Sequence, residues 1–147
     1  MRAVVQRVSR ASVSVDGKIV GACGVGLLVL VAAHREDTER EAAKMADKVA
    51  QLRIFNDVEG KMNLALGDLD PQGSVLAVSN FTVYGDTAKN RRPSFIESAP
   101  YDRGNELYEA FLCALRDMGV QVESGVFGAM MDVELVNDGP VTVILDV

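Results

Sequence analysis

Arg2-Ala3-Val4-Val5-Gln6-Arg7-Val8, then Ala11-Ser12-Val13-Ser14-Val15, Asp16-Gly17 and Lys18-Ile19-Val20: this opening stretch sets the architecture. Residues 2–8 and 11–15 are rich in β-branched side chains and read as strands. Asp16-Gly17 is a hairpin signal, because the tightest two-residue turns need φ above zero at both central positions. The chain therefore begins antiparallel. Gly26 to Ala33 follows as an unbroken apolar run of strand length, which predicts a strand buried on both faces.

A helix is predicted from Thr38, where Thr38 and Glu41 have the spacing of a capping box. Ala42, Met45, Ala46, Val49 and Leu52 then recur at helical intervals. Arg53-Ile54-Phe55 reads as a short strand, 57–60 as a turn, and Ser74 to Tyr84 as a second buried strand. Leu107, Tyr108, Phe111, Leu112 and Leu115 mark a second helix, with Gly119 placed to end it. Strands are expected near 120–123, 131–136 and 141–147, with Asn137-Asp138-Gly139 as the turn joining the last two. Strands and helices do not alternate regularly, which disfavours a doubly wound parallel sheet. The expected fold is α+β: one domain over residues 1–147, mainly antiparallel, with two main helices on one face. The apolar runs at 26–33 and 74–78 ask for more cover than one small layer gives, which hints at a dimer.

The 147 residues suit one compact domain, and 48% hydrophobic with 24% charged residues is ordinary globular composition. With no Trp and few aromatics, the core must be built from Val, Leu, Ala, Ile and Met. No apolar run is long enough for a membrane helix, and the charged start (Arg2, Arg7, Arg10) lacks a signal-peptide core, so a cytoplasmic location is expected. Cys23 and Cys113 stand without a C-x-x-C or His partner, so neither a zinc site nor a disulfide is expected. A net charge of −6 excludes indiscriminate nucleic-acid binding through the overall field. Contact with RNA would have to be local, and Lys89-Asn90-Arg91-Arg92 is the obvious patch; a solvated basic loop explains it more simply.

Conventional catalytic groups are scarce. His34 is the only histidine, and no G-x-S-x-G elbow presents a serine for it to activate. The glycines of 21–26 precede a strand rather than a helix and so make no phosphate cradle. Asp132 and Glu134 alternate on one predicted strand face, where a solvated surface accounts for them. Two segments stand out. Ser79-Asn80-Phe81-Thr82 turns a buried strand polar, as a strand entering a site does, although hydroxyls satisfying a strand end would look the same. Gly139-Pro140, after Asn137-Asp138, reads locally as an ordinary turn.

Taken together the segments resemble the D-aminoacyl-tRNA deacylase family. The likeness spans the chain: 1–8, 10–13, Gly26-Leu27-Leu28-Val29-Leu30, Arg53-Ile54-Phe55 with 57–63, Arg92-Pro93-Ser94-Phe95, and 135–142, in order. The resemblance implies a barrel-like α+β homodimer with shared active sites and no cofactor or metal. The family's Ser-Gln-x-Thr motif falls on Ser79, Asn80, Phe81 and Thr82, and its Gly-Pro-x-Thr motif on Gly139, Pro140, Val141 and Thr142. In the family the Gly-Pro bond is cis and enters the partner's active site, where a rigid backbone carbonyl excludes an L-side chain. The implied reaction is hydrolysis of the ester joining a D-amino acid to the 3′ end of tRNA, and of glycine mischarged on tRNA(Ala).

The same resemblance assigns roles to individual residues. The implied chemistry uses the terminal ribose 2′-hydroxyl to assist water, with backbone N–H groups toward the oxyanion. The alternative is Thr82 as nucleophile, for which no adjacent base is visible. Phe127 corresponds to a position near the terminal adenine, Met131 to a pocket-lining position, and Arg7 to a residue that fastens the motif loop from the partner chain. Core packing would equally explain Phe127 and Met131, and a surface ion pair Arg7. Asn80 departs from the family's Gln by one methylene, so its amide either loses contact with the substrate or only braces the loop. Two other functions fit: a sister editing deacylase acting on mischarged L-alanyl-tRNA, or a non-enzymatic dimer binding a metabolite or RNA end. Retention of Ser79 favours the D-specific type.

Overall fold

The opening stretch forms one strand rather than two. In the computed structural model, which describes residues 1–89 and 91–147, β1 (Arg2–Val15) pairs along its length with the last strand, β8 (Asp132–Asp146). Val8 pairs with Asn137 and Arg10 with Val136, so Ser9 is an extra residue, a bulge. The bulge reverses the strand's faces. Met1, Ala3 and Val5 enter one core, whereas Val8, Ala11 and Val13 enter another. Asp16 (φ 50°) and Gly17 (φ 73°) then make the expected turn into β2 (Lys18–Cys23).

The uninterrupted apolar run becomes β3 (Gly26–Ala32), antiparallel to β1 and almost wholly buried. The path through the sheet is β2-β1-β3, then β6 (Ser74–Ser79) and β7 (Gln121–Ser124), with β8 on the other edge of β1. The sheet is more mixed than expected: β3–β6 and β6–β7 are parallel. Helices α1 (Glu39–Ala50) and α2 (Tyr101–Asp117) lie within the two connections, and such crossovers return the chain in the same direction. The sheet curls until β2 meets β7. A Cβ on Gly21 would lie 2.8 Å from the Ser124 carbonyl oxygen, so only glycine lets the strands approach this closely. The result is a nearly closed, barrel-like wall.

Both helices cover one face. Thr38 and Glu41 form the capping box, and the Thr38 hydroxyl and N–H hold the Glu41 carboxylate at 2.6 and 3.0 Å. Ala42, Met45, Ala46 and Val49 of α1 meet Leu107, Phe111, Leu112 and Leu115 of α2 over Val29, Val31 and Ala77. Gly119 (φ 80°) ends α2 as predicted. A second, smaller core of Val8, Ala11, Val13, Leu28, Leu76 and Val78 fills the inside of the curl.

Other predicted bounds shift. The short strand expected over 53–55 is β4 (Phe55–Asn56), which pairs with β5 (Met62–Leu64) around the 57–60 turn. The strand expected to reach Tyr84 ends at Ser79, because Asn80 turns the chain into a 3-10 helix over Phe81–Tyr84. Asn137-Asp138-Gly139 does not join two strands, since β8 continues through it on the same partner. Gln6 pairs with Thr142 and Val8 with Asn137, so residues 138–141 lie opposite Arg7 alone and bulge outward. No helix among the described residues is long and apolar enough to cross a membrane.

Candidate active site

A cavity of about 870 Å³ opens where the inner core meets the start of α2. Ser79, Asn80, Phe81 and Thr82 form one wall, Leu28, Leu30 and Val78 the floor, and Phe127 and Met131 the far side. The structure thus brings together six of the residues singled out in the sequence. No Asp, Glu, His, Lys, Arg or Cys side chain is in the lining. Among the described residues no group of three or more His, Cys, Asp or Glu converges as a metal site.

The Ser79–Thr82 wall is shaped by a short side chain. Asn80 precedes the 3-10 helix, and its Oδ1 accepts from the Thr82 N–H at 3.2 Å and the Thr82 hydroxyl at 2.5 Å. The Asn80 N–H donates to the Val31 carbonyl at 2.9 Å, tying the turn to β3. Asn80 is therefore a cap that braces its own loop, a task for which the shorter amide is well suited. Thr82 is held by an amide oxygen, which is no proton acceptor of useful basicity. The Phe81 N–H, first in the turn, has no place in the turn's own hydrogen-bond ladder. The Phe81 ring is 58% exposed and meets Phe95 edge to face at 5.1 Å.

Phe127 lines the cavity and also packs on the helix-side core, edge to face with Tyr101 at 5.1 Å and tilted against Tyr108 at 5.9 Å. Met131 similarly lines the cavity and packs on the inner core. Tyr101, Tyr108 and Gln6 are lining residues that the sequence did not single out as such; Tyr108 carried only the helical spacing of a core residue. The Tyr108 hydroxyl donates to the Ala77 carbonyl at 2.9 Å, and burial pushes its ionisation up, so it is a neutral wall.

Arg7, Gly139 and Pro140 are elsewhere. Arg7 is not a surface ion pair: it is 6% exposed and, where a hold on the partner chain's loop was expected, it grips the bulge of its own chain from behind. Its Nη1 donates to the Ile54 carbonyl at 2.7 Å and Asn56 Oδ1 at 3.2 Å, and its Nε lies 3.0 Å from Asp138 Oδ2. Asn137 holds the bulge on its other side through Nδ2, 2.8 Å from the Arg7 carbonyl and 2.9 Å from that of Val141. The Gly139-Pro140 bond is cis. Asp138, Gly139 and Pro140 are exposed and outside their own chain's cavity. His34 is also away from the lining, with Nε2 2.8 Å from Glu97 Oε2 and its ring 5.5 Å from Tyr84. Asp132 and Glu134 are exposed, as are Lys89, Arg91 and Arg92; Asn90 lies outside the described residues.

A curled six-stranded sheet with two helices on one face, and an apolar cavity lacking acid or base side chains, is a narrow combination. The sequence matches the family described as D-Tyr-tRNA(Tyr) deacylase over residues 4–146. The chain belongs to that family. A protein of Thermus aquaticus named D-aminoacyl-tRNA deacylase is 57% identical over 99% of this chain and 95% of its own. One of the same name from Bacillus velezensis is 53% identical over 99% of this chain and 98% of its own. Among solved structures, the c-Myc DNA Unwinding Element Binding Protein superposes with a TM-score of 0.92 at 39% identity, covering 100% of this chain and 99% of that one. A probable eukaryotic D-amino acid tRNA deacylase shares the fold, with a TM-score of 0.82 at 21% identity over 99% of this chain and 98% of that one.

Proposed function

We propose that the chain hydrolyses the ester between a D-amino acid and the 3′-terminal adenosine of tRNA, releasing free tRNA and the D-amino acid. The observation that carries this reading is the cavity itself: it joins Ser79–Thr82 to Phe127 and Met131 and has no acid or base side chain in its lining. Such a pocket can orient an ester and stabilise its oxyanion but cannot itself take up a proton. The ribose 2′-hydroxyl of the substrate assists the attacking water, and the Phe81 N–H at the head of the turn faces the developing charge. Thr82 is a brace in this mechanism rather than the nucleophile. Phe127 stacks on the terminal adenine and Met131 lines the amino-acid side of the pocket.

The handedness screen is the 138–141 bulge of a second copy of the chain. In its support, the bulge is exposed, gripped by Arg7 and Asn137, and absent from its own cavity. Phe81 and Met130, both exposed on the cavity lining, offer apolar surface for a partner to cover. A Gly139 carbonyl held where an L-side chain would lie rejects by steric exclusion, and it admits glycyl-tRNA along with D-aminoacyl-tRNA. The exposed Lys89, Arg91 and Arg92 meet tRNA phosphates in this reading, and the reaction belongs in the cytoplasm, where charged tRNA is used.

The test is deacylation of D-Tyr-tRNA, L-Tyr-tRNA and L-Ala-tRNA by the purified protein. Hydrolysis of the D-substrate with both L-substrates spared is expected. Absence of any turnover would overturn the enzyme reading, and preference for L-Ala-tRNA would make the chain the sister editing enzyme.

A further inference from the structure

The 138–141 bulge interrupts the β1–β8 ladder, and one side chain bridges the gap. Asn137 uses both hydrogens of its amide: one reaches the Arg7 carbonyl on β1, the other the Val141 carbonyl at the far end of the bulge. Its Oδ1 accepts from the Thr142 hydroxyl at 3.4 Å, and the Thr142 hydroxyl oxygen accepts from Gln6 Nε2 at 3.3 Å. Gln6 lines the cavity. A run of side chains thus connects the cavity wall of a protomer with the root of that protomer's own bulge.

Arg7 and Asn137 act on different parts of the bulge. Arg7 binds its first residue, through the Asp138 carbonyl and carboxylate. Asn137 fixes how far Val141 stands from β1, and so where the two ends of the bulge close. Gly139 between them adopts φ 125°, a conformation that L-residues rarely adopt. The task needs two donors and an acceptor on one short planar group. Asp supplies no donor, Ser or Thr only one, and Gln is a methylene too long.

We propose that Asn137, oriented by Thr142, is a positioning residue for substrate handedness: it sets the direction in which the Gly139 carbonyl leaves the bulge. This rests on the reading of the bulge as the screen against L-aminoacyl-tRNA.

The experiment compares single-turnover hydrolysis of D-Tyr-tRNA and L-Tyr-tRNA by the wild type, Asn137→Ala, Asn137→Asp and Thr142→Val, with a thermal melt of each. In both Asn137 variants the D-over-L rate ratio falls by about tenfold or more, the scale of losing one or two net hydrogen bonds. Thr142→Val, which removes the hydroxyl that orients the amide and also releases Gln6, lowers the ratio in the same direction by less. A purely structural role would lower the melting temperature and leave the ratio unchanged, and that result overturns the proposal. If the Asn137 variants do not fold, Thr142→Val decides alone: an unchanged ratio overturns it. A wild type inactive on D-Tyr-tRNA sinks the functional reading, and this inference with it. A selective wild type with equally selective variants sinks this inference only.

Discussion

Thr82→Ala removes one hydroxyl and, with it, the 2.5 Å hydrogen bond to Asn80 Oδ1. The Thr82 N–H still reaches the same oxygen at 3.2 Å, so the turn keeps half of its cap. One net hydrogen bond contributes about 1 kcal/mol. If all of that loss appeared in the barrier, the rate would fall about fivefold. Asn80→Ala removes both contacts, about 2 kcal/mol, with a ceiling near thirtyfold. A true nucleophile behaves differently, since its removal typically costs on the order of 10⁴-fold or more. Single-turnover hydrolysis of D-Tyr-tRNA under saturating protein, with circular dichroism to establish the fold, separates the two cases. The expected order is wild type, Thr82→Ala, then Asn80→Ala, all within two decades. A loss beyond about 10³-fold in a folded Thr82→Ala protein, restored by Thr82→Ser, would refute the brace and make the hydroxyl the attacking group.

Further outcomes follow from the same geometry. Arg7→Met leaves the Ile54 carbonyl and the Asp138 carboxylate without their guanidinium, and should lower unfolding stability by about 2–4 kcal/mol, read as a shifted urea midpoint; an unchanged midpoint would mean that the clamp is energetically idle. Gly26→Ala drives a Cβ into the Ser74 backbone where β3 meets β6 and should cost about 3 kcal/mol or more, whereas Gly24→Ala, with open space around it, should melt like the wild type. Burial, then the nearby Asp37, pushes the Tyr84 phenol up to about 12 from 10.0. The folded state therefore favours protonated Tyr84, and this contribution to stability is whole below pH 10 and disappears as pH rises toward about 12. Thermal melts across that window should show a decline that Tyr84→Phe makes shallower; an identical slope in the variant would refute the assignment.

The sequence made legible whatever depends on local chemistry. The Asp16-Gly17 turn, the Thr38–Glu41 capping box, the Gly119 helix end and the buried run at 26–32 are each decided by a few neighbouring residues. The parallel pairings of β6 were not legible, because they depend on where two helices return the chain. Nor was the fate of 137–139: Asn-Asp-Gly has turn chemistry whether the chain reverses or bulges, and only pairing with β1 on both sides decides between them. At the site, the family motifs located Ser79–Thr82, Phe127 and Met131 on one cavity. The acceptor role of Asn80 became visible only when its Oδ1 was found on Thr82. Read locally, Arg7 was a surface ion pair, and its burial comes from β4, far away in sequence. Tyr101 and Tyr108 come to the cavity through the placement of α2, which no local pattern records.

The extra residue at Ser9 has a consequence for how this chain can vary over evolutionary time. Two polar, exposed residues between hydrophobic runs, Ser9-Arg10, look like a place where insertions and deletions would go unnoticed. Removing one residue there would erase the bulge and leave Val8, Ala11 and Val13 on one face with their pairing to β8 intact. The other edge would suffer, because Val8 pairs with Gly26 and Ala11 with Cys23, so Ser9-Arg10 is matched in length by Gly24-Val25. Substitution at Ser9 should be nearly free, while a change of spacing calls for the same change at Gly24-Val25. Relatives of this chain should therefore differ in the letters at Ser9-Arg10 and alter their number only in step with Gly24-Val25.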